Sequence, residues 1–511
     1  MRCGTLILLV CWLLGRASLS CAAAGFSFFE PVTPPRRIQT VARHGEAGQA
    51  PENSRPALLR CAEDGVEWAS VDVARTKDGQ HLLWSATSAD GAASARTLAD
   101  WEAVDIGTPY AAKYRGEHPL PLAKALELAK GRLNLVLECR DADGRQLAGE
   151  VRAAGMESQV LIQGTPEFLQ QVRADGVGKL GLLAVLPPGG DAAWAAEQGL
   201  AAVEIEASAA SPALCESFHQ RGIRVEARVP GGGDPFPGFT KAAAAGVDLV
   251  QTDVPEEWVA FSLAGPLAHR PVRFSLHRGA NRYAPENTLP AFAKAIRLHA
   301  DFVEFDVRTT SDGKLFLLHD SVLDGKTDGK GRIADTSSQV IAGISAGVKF
   351  GQPYAGVRMP SLDEFLDLTA GKVELYFDAK AIAPDALAAS LERHGVTKDA
   401  VVYGGPAFLA KVKAADPRIR LLPPLESPDE LDALARDLHP YAVDASWEIL
   451  SPALIARCHQ LGIKVFSDAL GAHESVEQYL KAMDWGIDLI QTDHPLRVLR
   501  AIELRAPARV E

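Results

Sequence analysis

One segment of this 511-residue chain occurs twice, and that repetition limits the possible folds more than any other feature. Ala50-Pro51-Glu52-Asn53-Ser54 returns as Ala284-Pro285-Glu286-Asn287-Thr288, 234 residues on. At the same spacing Asp72-Val73, Thr76 and Asp78-Gly79 match Asp306-Val307, Thr310 and Asp312-Gly313. Later, Gly246 to Pro255 matches Gly486 to Pro495 at a spacing of 240. Two copies of one domain follow from this. Each is about 225 residues, the usual size of a barrel domain. The joint, Gly265 to Pro271, carries two prolines and no apolar periodicity.

Within copy two, short apolar runs alternate with amphipathic segments. The runs are Phe274 to Arg278, Phe302 to Arg308, Val373 to Lys380, Val401 to Gly404, Ile419 to Pro423, Ala442 to Ala445, Lys464 to Ser467 and Leu489 to Asp493. Between the first two lies Thr288 to His299, with Leu289, Phe292, Ala293 and Ile296 on one helical face. Eight strands alternating with helices predict an α/β chain of two tandem TIM-type (β/α)8 barrels, with an open doubly wound sheet as the alternative. The expected boundaries are 36–262 and 272–505.

Residues 1–24 stand apart. Arg2, an apolar run from Leu6 to Leu14, and Ala22-Ala23-Ala24 have the order of a signal peptide, which predicts export to a periplasmic or extracellular location. A lipid anchor at Cys21 is disfavoured, because Ser18-Leu19-Ser20 is a poor approach to such a site. No later run reaches the length of a membrane span. The net charge of −12, from 65 acidic and 53 basic residues, argues against nucleic acid and anionic membranes as partners, and suits carboxylate ligation of a hard divalent cation. Cys61, Cys139, Cys215 and Cys458 lack metal-ligand spacing and are expected to be small buried residues.

In copy two the charged residues fall at the C-terminal ends of strands, where barrel enzymes place their sites. Strand one ends in His277-Arg278-Gly279. Strand two carries Glu304 and Asp306, and strand three Asp378 and Lys380, each pair two apart and so on one face. Unpaired charges inside a barrel are costly, so three carboxylates and a lysine there imply a cation with a phosphate-like partner. Strand two runs into Ser311-Asp312-Gly313-Lys314, a hairpin signal. A two-residue turn at Asp312 and Gly313 would set His319 opposite Asp306.

These residues resemble the glycerophosphodiester phosphodiesterase family. The likeness runs through His277-Arg278-Gly279, Pro285-Glu286-Asn287-Thr288, Glu304-x-Asp306, His319-Asp320, Met359-Pro360-Ser361-Leu362 and Gln491-Thr492-Asp493-His494-Pro495, over about Arg273 to Leu499. Two departures stand out: Asp378 replaces the family's usual glutamate, and Phe466-Ser467-Asp468 occupies the region of a typical tryptophan. The resemblance implies hydrolysis of a small-molecule or lipid-derived phosphodiester to glycerol 3-phosphate and an alcohol. It implies His277 and His319 as general acid and base, and Arg278 and Lys380 on the phosphate. It also implies one Mg²⁺ or Ca²⁺ ion on Glu304, Asp306 and Asp378, with Glu286 as an additional ligand. Attack by the glycerol 2-hydroxyl can come first in the family, giving a cyclic phosphate that water opens. Phospholipase-D-like or sugar-phosphodiester hydrolysis on the same scaffold, and non-catalytic binding of phosphorylated ligands, are the alternatives. The Gly- and Ser-rich segment Val322 to Val357 is expected to cover the substrate head group.

Copy one departs at the positions that matter. Arg43 stands at the place of His277, Ser70 at that of Glu304 and Ser85 at that of His319, while Glu52, Asp72, Glu138 and Arg140 keep their charge type. Copy one is therefore expected to be inactive. Strand alternation predicts that His44 points to the opposite face from the site.

Overall fold

The computed structural model describes residues 26–85, 90–174, 180–263, 267–268 and 270–505. The signal segment with Cys21, and Gly265, Pro266 and His269 of the joint, lie outside the described residues. Among those described, no helix is long and apolar enough to cross a membrane, and Cys61, Cys139, Cys215 and Cys458 are buried free thiols.

Two parallel β rings form, each wrapped by helices. In copy one the strands Gln39–Ala42, Trp68–Arg75, Asn134–Asp141, Val160–Gln163, Gly181–Val185, Ala202–Glu206, Arg224–Val229 and Leu249–Thr252 pair in sequence, and the first closes on the last. In copy two the order is Arg273–Leu276, Phe302–Thr309, Glu374–Ala381, Ala400–Tyr403, a split fifth strand, Ala442–Ala445, Lys464–Asp468 and Leu489–Thr492. The split falls at Pro423. Arg420–Leu422 pairs with the fourth strand and Pro424–Leu425 with the sixth. Proline has no N–H for a ladder, so the strand turns its bonding from one neighbour to the other at that point.

The floor of each ring is apolar and its mouth polar. Phe302, Tyr376, Val401, Leu422, Ala442, Phe466 and Leu489, one from each strand but the first, fill the interior of copy two. Val41, Trp68, Val136, Leu161, Leu183, Ala202 and Leu249 do the same in copy one. Between the first two strands of copy two, the predicted helix runs Leu289–Arg297. Its buried stripe is Ala291, Phe292, Ala295 and Leu298, not the face centred on Ile296. The far side is occupied by the other barrel: Lys294 reaches Glu256 at 2.6 Å and also pairs with Glu257.

The two barrels pack on each other about an approximate twofold axis. Gln49 and Tyr283 occupy equivalent places in the two copies, and the Gln49 amide donates to the Tyr283 carbonyl at 3.2 Å. The equivalent helices Pro255–Ser262 and Pro495–Arg505 pack together. Self-contact between equivalent elements is the mark of an isologous interface. A single apolar cluster runs from Ala42 to Ile502 through both copies.

Asp64 is one of the buried charges at this junction. It is 4% exposed, accepts from Arg282 at 3.2 Å and from the Tyr283 hydroxyl at 3.3 Å, and lies 3.9 Å from His494. Burial alone would push its carboxyl up, but His494, Arg282 and Arg60 outweigh burial and hold it below its usual value. A depressed carboxylate stabilises the fold above its unfolded value, about 3.9, and loses that contribution as pH falls through the folded one. Asp64→Asn is expected to cost on the order of 3 kcal/mol at pH 7, since it leaves Arg282 without its buried partner. The gap to the wild-type unfolding midpoint should close below pH 4. A gap of the same size at pH 3 would refute this assignment.

Candidate active site

The loop after the first strand of copy two sets the geometry. Arg278 and Gly279 both take left-handed backbone angles, φ 55° and 78°. A Cβ on Gly279 would lie 2.9 Å from the backbone of Ala291, so only glycine lets this loop sit on the following helix. The turn aims the Arg278 N–H at Glu304 Oε2, 2.8 Å away, and its guanidinium at Glu286 Oε1 at 2.9 Å and Asp306 Oδ2 at 3.4 Å. Asn287, also left-handed at φ 56°, donates to Asp306 Oδ2 at 2.7 Å and accepts from the Asp306 N–H.

Glu304, Asp306 and Asp378 each offer an oxygen within 4.8 Å of the others. Glu304 and Asp306 are 3% and 1% exposed. Burial, and then the charges of Asp306 and Asp378, push the Glu304 carboxyl well above its usual range. Burial likewise raises Asp378, against the pull of Lys380. Asp306 Oδ1 is buried without a hydrogen-bond donor, the nearest cation being Lys380 Nζ at 3.6 Å. A group of hard oxygen donors with one left unpaired fits a divalent cation. Glu286 is not brought into this group: its two oxygens face Arg278 and Lys326, at 2.9 Å each.

Lys380 reaches the group by a bulge. Asp306 pairs with Asp378 and Arg308 with Ala381, so the third strand holds one extra residue there. Bulges re-aim side chains in this way, and Lys380 Nζ ends 2.6 Å from Asp378 Oδ2.

His277 and His319 stand at the same mouth, each with a carboxylate on Nδ1. His277 Nδ1 lies 2.9 Å from Asp493 Oδ1, and His319 Nδ1 lies 2.8 Å from Asp320 Oδ1. Asp493 also accepts from Asn281. Burial raises the Asp493 carboxyl, but His277 and Asn281 outweigh it, so Asp493 stays an acceptor. Asp468 adds a further acid, pushed to about 6 by burial, with His277 opposing.

The register expected for His319 is off by one. Val307 pairs with Leu317 and Thr309 with Leu315, which places Leu318, not His319, across from Asp306. The turn has three residues, Ser311 to Gly313. Gly313 is left-handed at φ 78°, and its N–H is bonded to the Thr310 carbonyl. That is the common three-residue hairpin form. His319 is instead held past the strand end by Arg308, whose guanidinium donates to its carbonyl at 2.8 Å. There its charge still bears on Asp378.

Copy one corrects the reading of His44. It does not point away: Nδ1 lies 3.1 Å from Glu52 and Nε2 3.1 Å from Asp72. His44 sits past the end of its strand in a left-handed conformation, φ 56°, so strand alternation does not govern it. It occupies the place of Arg278, while Arg43 meets Asp253 at 3.0 Å as His277 meets Asp493. With the two residues exchanged, these ion pairs are kept and no imidazole stands at the position equivalent to His277. His44, Asp72 and Glu138 also come within 4.8 Å of one another.

Residues 277–497 match the sequence profile of the Glycerophosphoryl diester phosphodiesterase family. The chain is similar to the glycerophosphodiester phosphodiesterase of Caldanaerobacter subterraneus subsp. tengcongensis, 28% identical over 242 residues, which is 44% of this chain and 96% of that protein. It is also similar to that of Bacillus subtilis, 28% identical over 246 residues, 43% of this chain and 82% of that protein. A solved glycerophosphodiester phosphodiesterase from Agrobacterium tumefaciens is 26% identical, with a TM-score of 0.43, over 45% of this chain and 99% of its own. The match to the Glycerophosphoryl diester phosphodiesterase family thus spans the C-terminal barrel, and the relatives similar to the chain over that span are glycerophosphodiester phosphodiesterases.

Proposed function

We propose that the C-terminal barrel, residues 272–505, hydrolyses glycerophosphodiesters to glycerol 3-phosphate and an alcohol, with His277 and His319 exchanging the protons. The observation that carries this is the pair of imidazoles, each tied through Nδ1 to a carboxylate, beside three clustered acids and a lysine. An Nδ1–H bonded to Asp493 or Asp320 fixes the tautomer and leaves Nε2 free for the reaction. One imidazole takes the proton of the attacking hydroxyl or water as the new P–O bond forms. The other gives a proton to the departing alkoxide as the old P–O bond breaks. Arg278 and Lys380 supply positive charge to the phosphoryl oxygens. Glu304, Asp306 and Asp378 would hold one divalent cation, Mg²⁺ or Ca²⁺, whose chemistry is charge neutralisation at the phosphoryl group. Residues 36–262 form a barrel without this proton pair.

Release of glycerol 3-phosphate from glycerophosphocholine provides the test. His277→Ala and His319→Ala are each expected to lower kcat by roughly 10²–10⁴-fold with metal binding intact. Unchanged turnover in either variant would remove that histidine from the mechanism.

Chelation should abolish turnover, and added Mg²⁺ or Ca²⁺ should restore it. Glu304→Gln and Asp306→Asn are expected to raise the metal concentration needed for half-maximal activity by about tenfold or more. Full activity in a chelator-treated, metal-free sample would exclude the cation.

Export belongs to the same reading and is supported by the order of charge, apolar run and small residues in 1–24. Protein from a secreting host should begin just after Ala24, and an intact Met1 on the secreted form would contradict it.

A further inference from the structure

We propose that Lys113, a residue of the N-terminal barrel, binds the anionic diester at the mouth of the C-terminal barrel. This rests on the hydrolase reading above. A cavity of about 450 Å³ stands over the mouth of copy one, a volume suited to a small ligand. Glu52, Ser85, Trp84 and Tyr110 line it from copy one, and Gln352 and Pro353 reach in from copy two. The second barrel thus helps to build the pocket of the first.

The approximate twofold axis makes that exchange mutual. The spacing between copies is 234 through the strands His81–Leu83 and Leu315–Leu317, and 240 from the turns Ala93–Ala95 and Ile333–Asp335 onward. The short 3-10 turns Ala112–Tyr114 and Gln352–Tyr354 are therefore equivalent. Lys113 matches Pro353, Tyr110 matches Phe350, Glu52 matches Glu286 and Ser85 matches His319. Contacts run both ways across the junction. The Gln352 N–H donates to the Tyr110 carbonyl at 2.7 Å, and Lys113 Nζ lies 4.5 Å from the centre of the Phe350 ring. Pro353 lines the pocket with Glu52 and Ser85, and the same symmetry directs Lys113 toward the side of Glu286 and His319.

The chemistry differs between the two sides in the expected sense. The mouth without a catalytic pair receives an uncharged proline, and the mouth with one receives an ammonium. The Lys113 ammonium lies over the rings of Tyr114 and Phe350, 5.1 and 4.5 Å from their centres. Partial burial, with Arg60 and Arg282 nearby, lowers the Lys113 ammonium to about 8, so it remains mostly charged at pH 7. In a chain of net charge −12, a local group of cations at a mouth crowded with carboxylates favours entry of a diester anion.

Steady-state kinetics on the full chain with glycerophosphocholine at pH 7 would test this. Lys113→Met keeps an unbranched side chain of similar length beside Phe350 and removes the charge. It is expected to raise KM about fivefold, the worth of a partly exposed charge contact, with kcat within twofold and the unfolding midpoint unchanged. Lys113→Arg should restore KM. Calorimetric titration with glycerol 3-phosphate gives a readout that does not need turnover, with the same loss and rescue expected. An active chain whose KM ignores Lys113→Met, or whose loss Lys113→Arg does not repair, overturns the proposal. A chain that binds glycerol 3-phosphate through Lys113 yet never turns over would overturn the hydrolase reading and leave this one standing. A chain that neither binds nor turns over overturns both.

Discussion

Mutual repulsion among Glu304, Asp306 and Asp378 is the constraint around which the C-terminal mouth is arranged. Three acids within 4.8 Å of each other, two of them almost wholly buried, cannot all be ionised without compensation. Arg278 and Lys380 supply part of it, and each needs an irregular piece of backbone to do so. Arg278 uses a left-handed turn that only works because Gly279 follows, and Lys380 uses a bulge in the third strand. Compensation is still incomplete, since Asp306 Oδ1 has no donor and Glu304 is driven well above its usual range. A structure stabilised for its own sake would have replaced one acid by an apolar residue. Three retained acids are the arrangement a site for a divalent cation would need.

Copy one shows what happens when that requirement is relaxed. Ser70 replaces the most strongly perturbed acid, and the histidine and arginine exchange places. Each still finds a carboxylate, so the loop keeps the same backbone angles, φ 56° at His44 against 55° at Arg278. The fold therefore tolerates arginine at the position of His277 at little structural cost. What it did not lose is a buried polar interior: Glu226 is fully buried with both oxygens unpartnered, and Glu204 and Glu138 push its carboxyl further up.

Much of this was legible in the sequence, for identifiable reasons. The eight strands of copy two fall within a residue or two of their expected places because each is a short apolar run closed by a turn or helix start. The site acids were legible because residues two apart on a strand share a face. Other features depend on information that local pattern does not carry. Asp-Gly fits hairpins of two or three residues, and the choice moved His319 by one place. Strand alternation stops where the strand stops, which misplaced His44. The pairing of His277 with Asp493 spans 216 residues, and the recurrence of Gln-Thr-Asp in both copies and its place among the family motifs marked the aspartate without naming its partner.

The packing of one barrel on the other was the least legible feature, because periodicity marks which face is buried and not what buries it. Lys294 illustrates this: it lies off the apolar face expected for its helix, yet it is drawn between Glu256 and Glu257 of the other copy. An approximate twofold axis turns such contacts into pairs, and a duplicated gene is free to change one member of each pair without the other. A homodimer of identical barrels would place the same residue over both mouths. Fusion in tandem removes that restriction, so each barrel can diverge in the side chains it extends toward its neighbour. The difference between Lys113 and Pro353, at equivalent positions over inequivalent mouths, has the form such divergence should take.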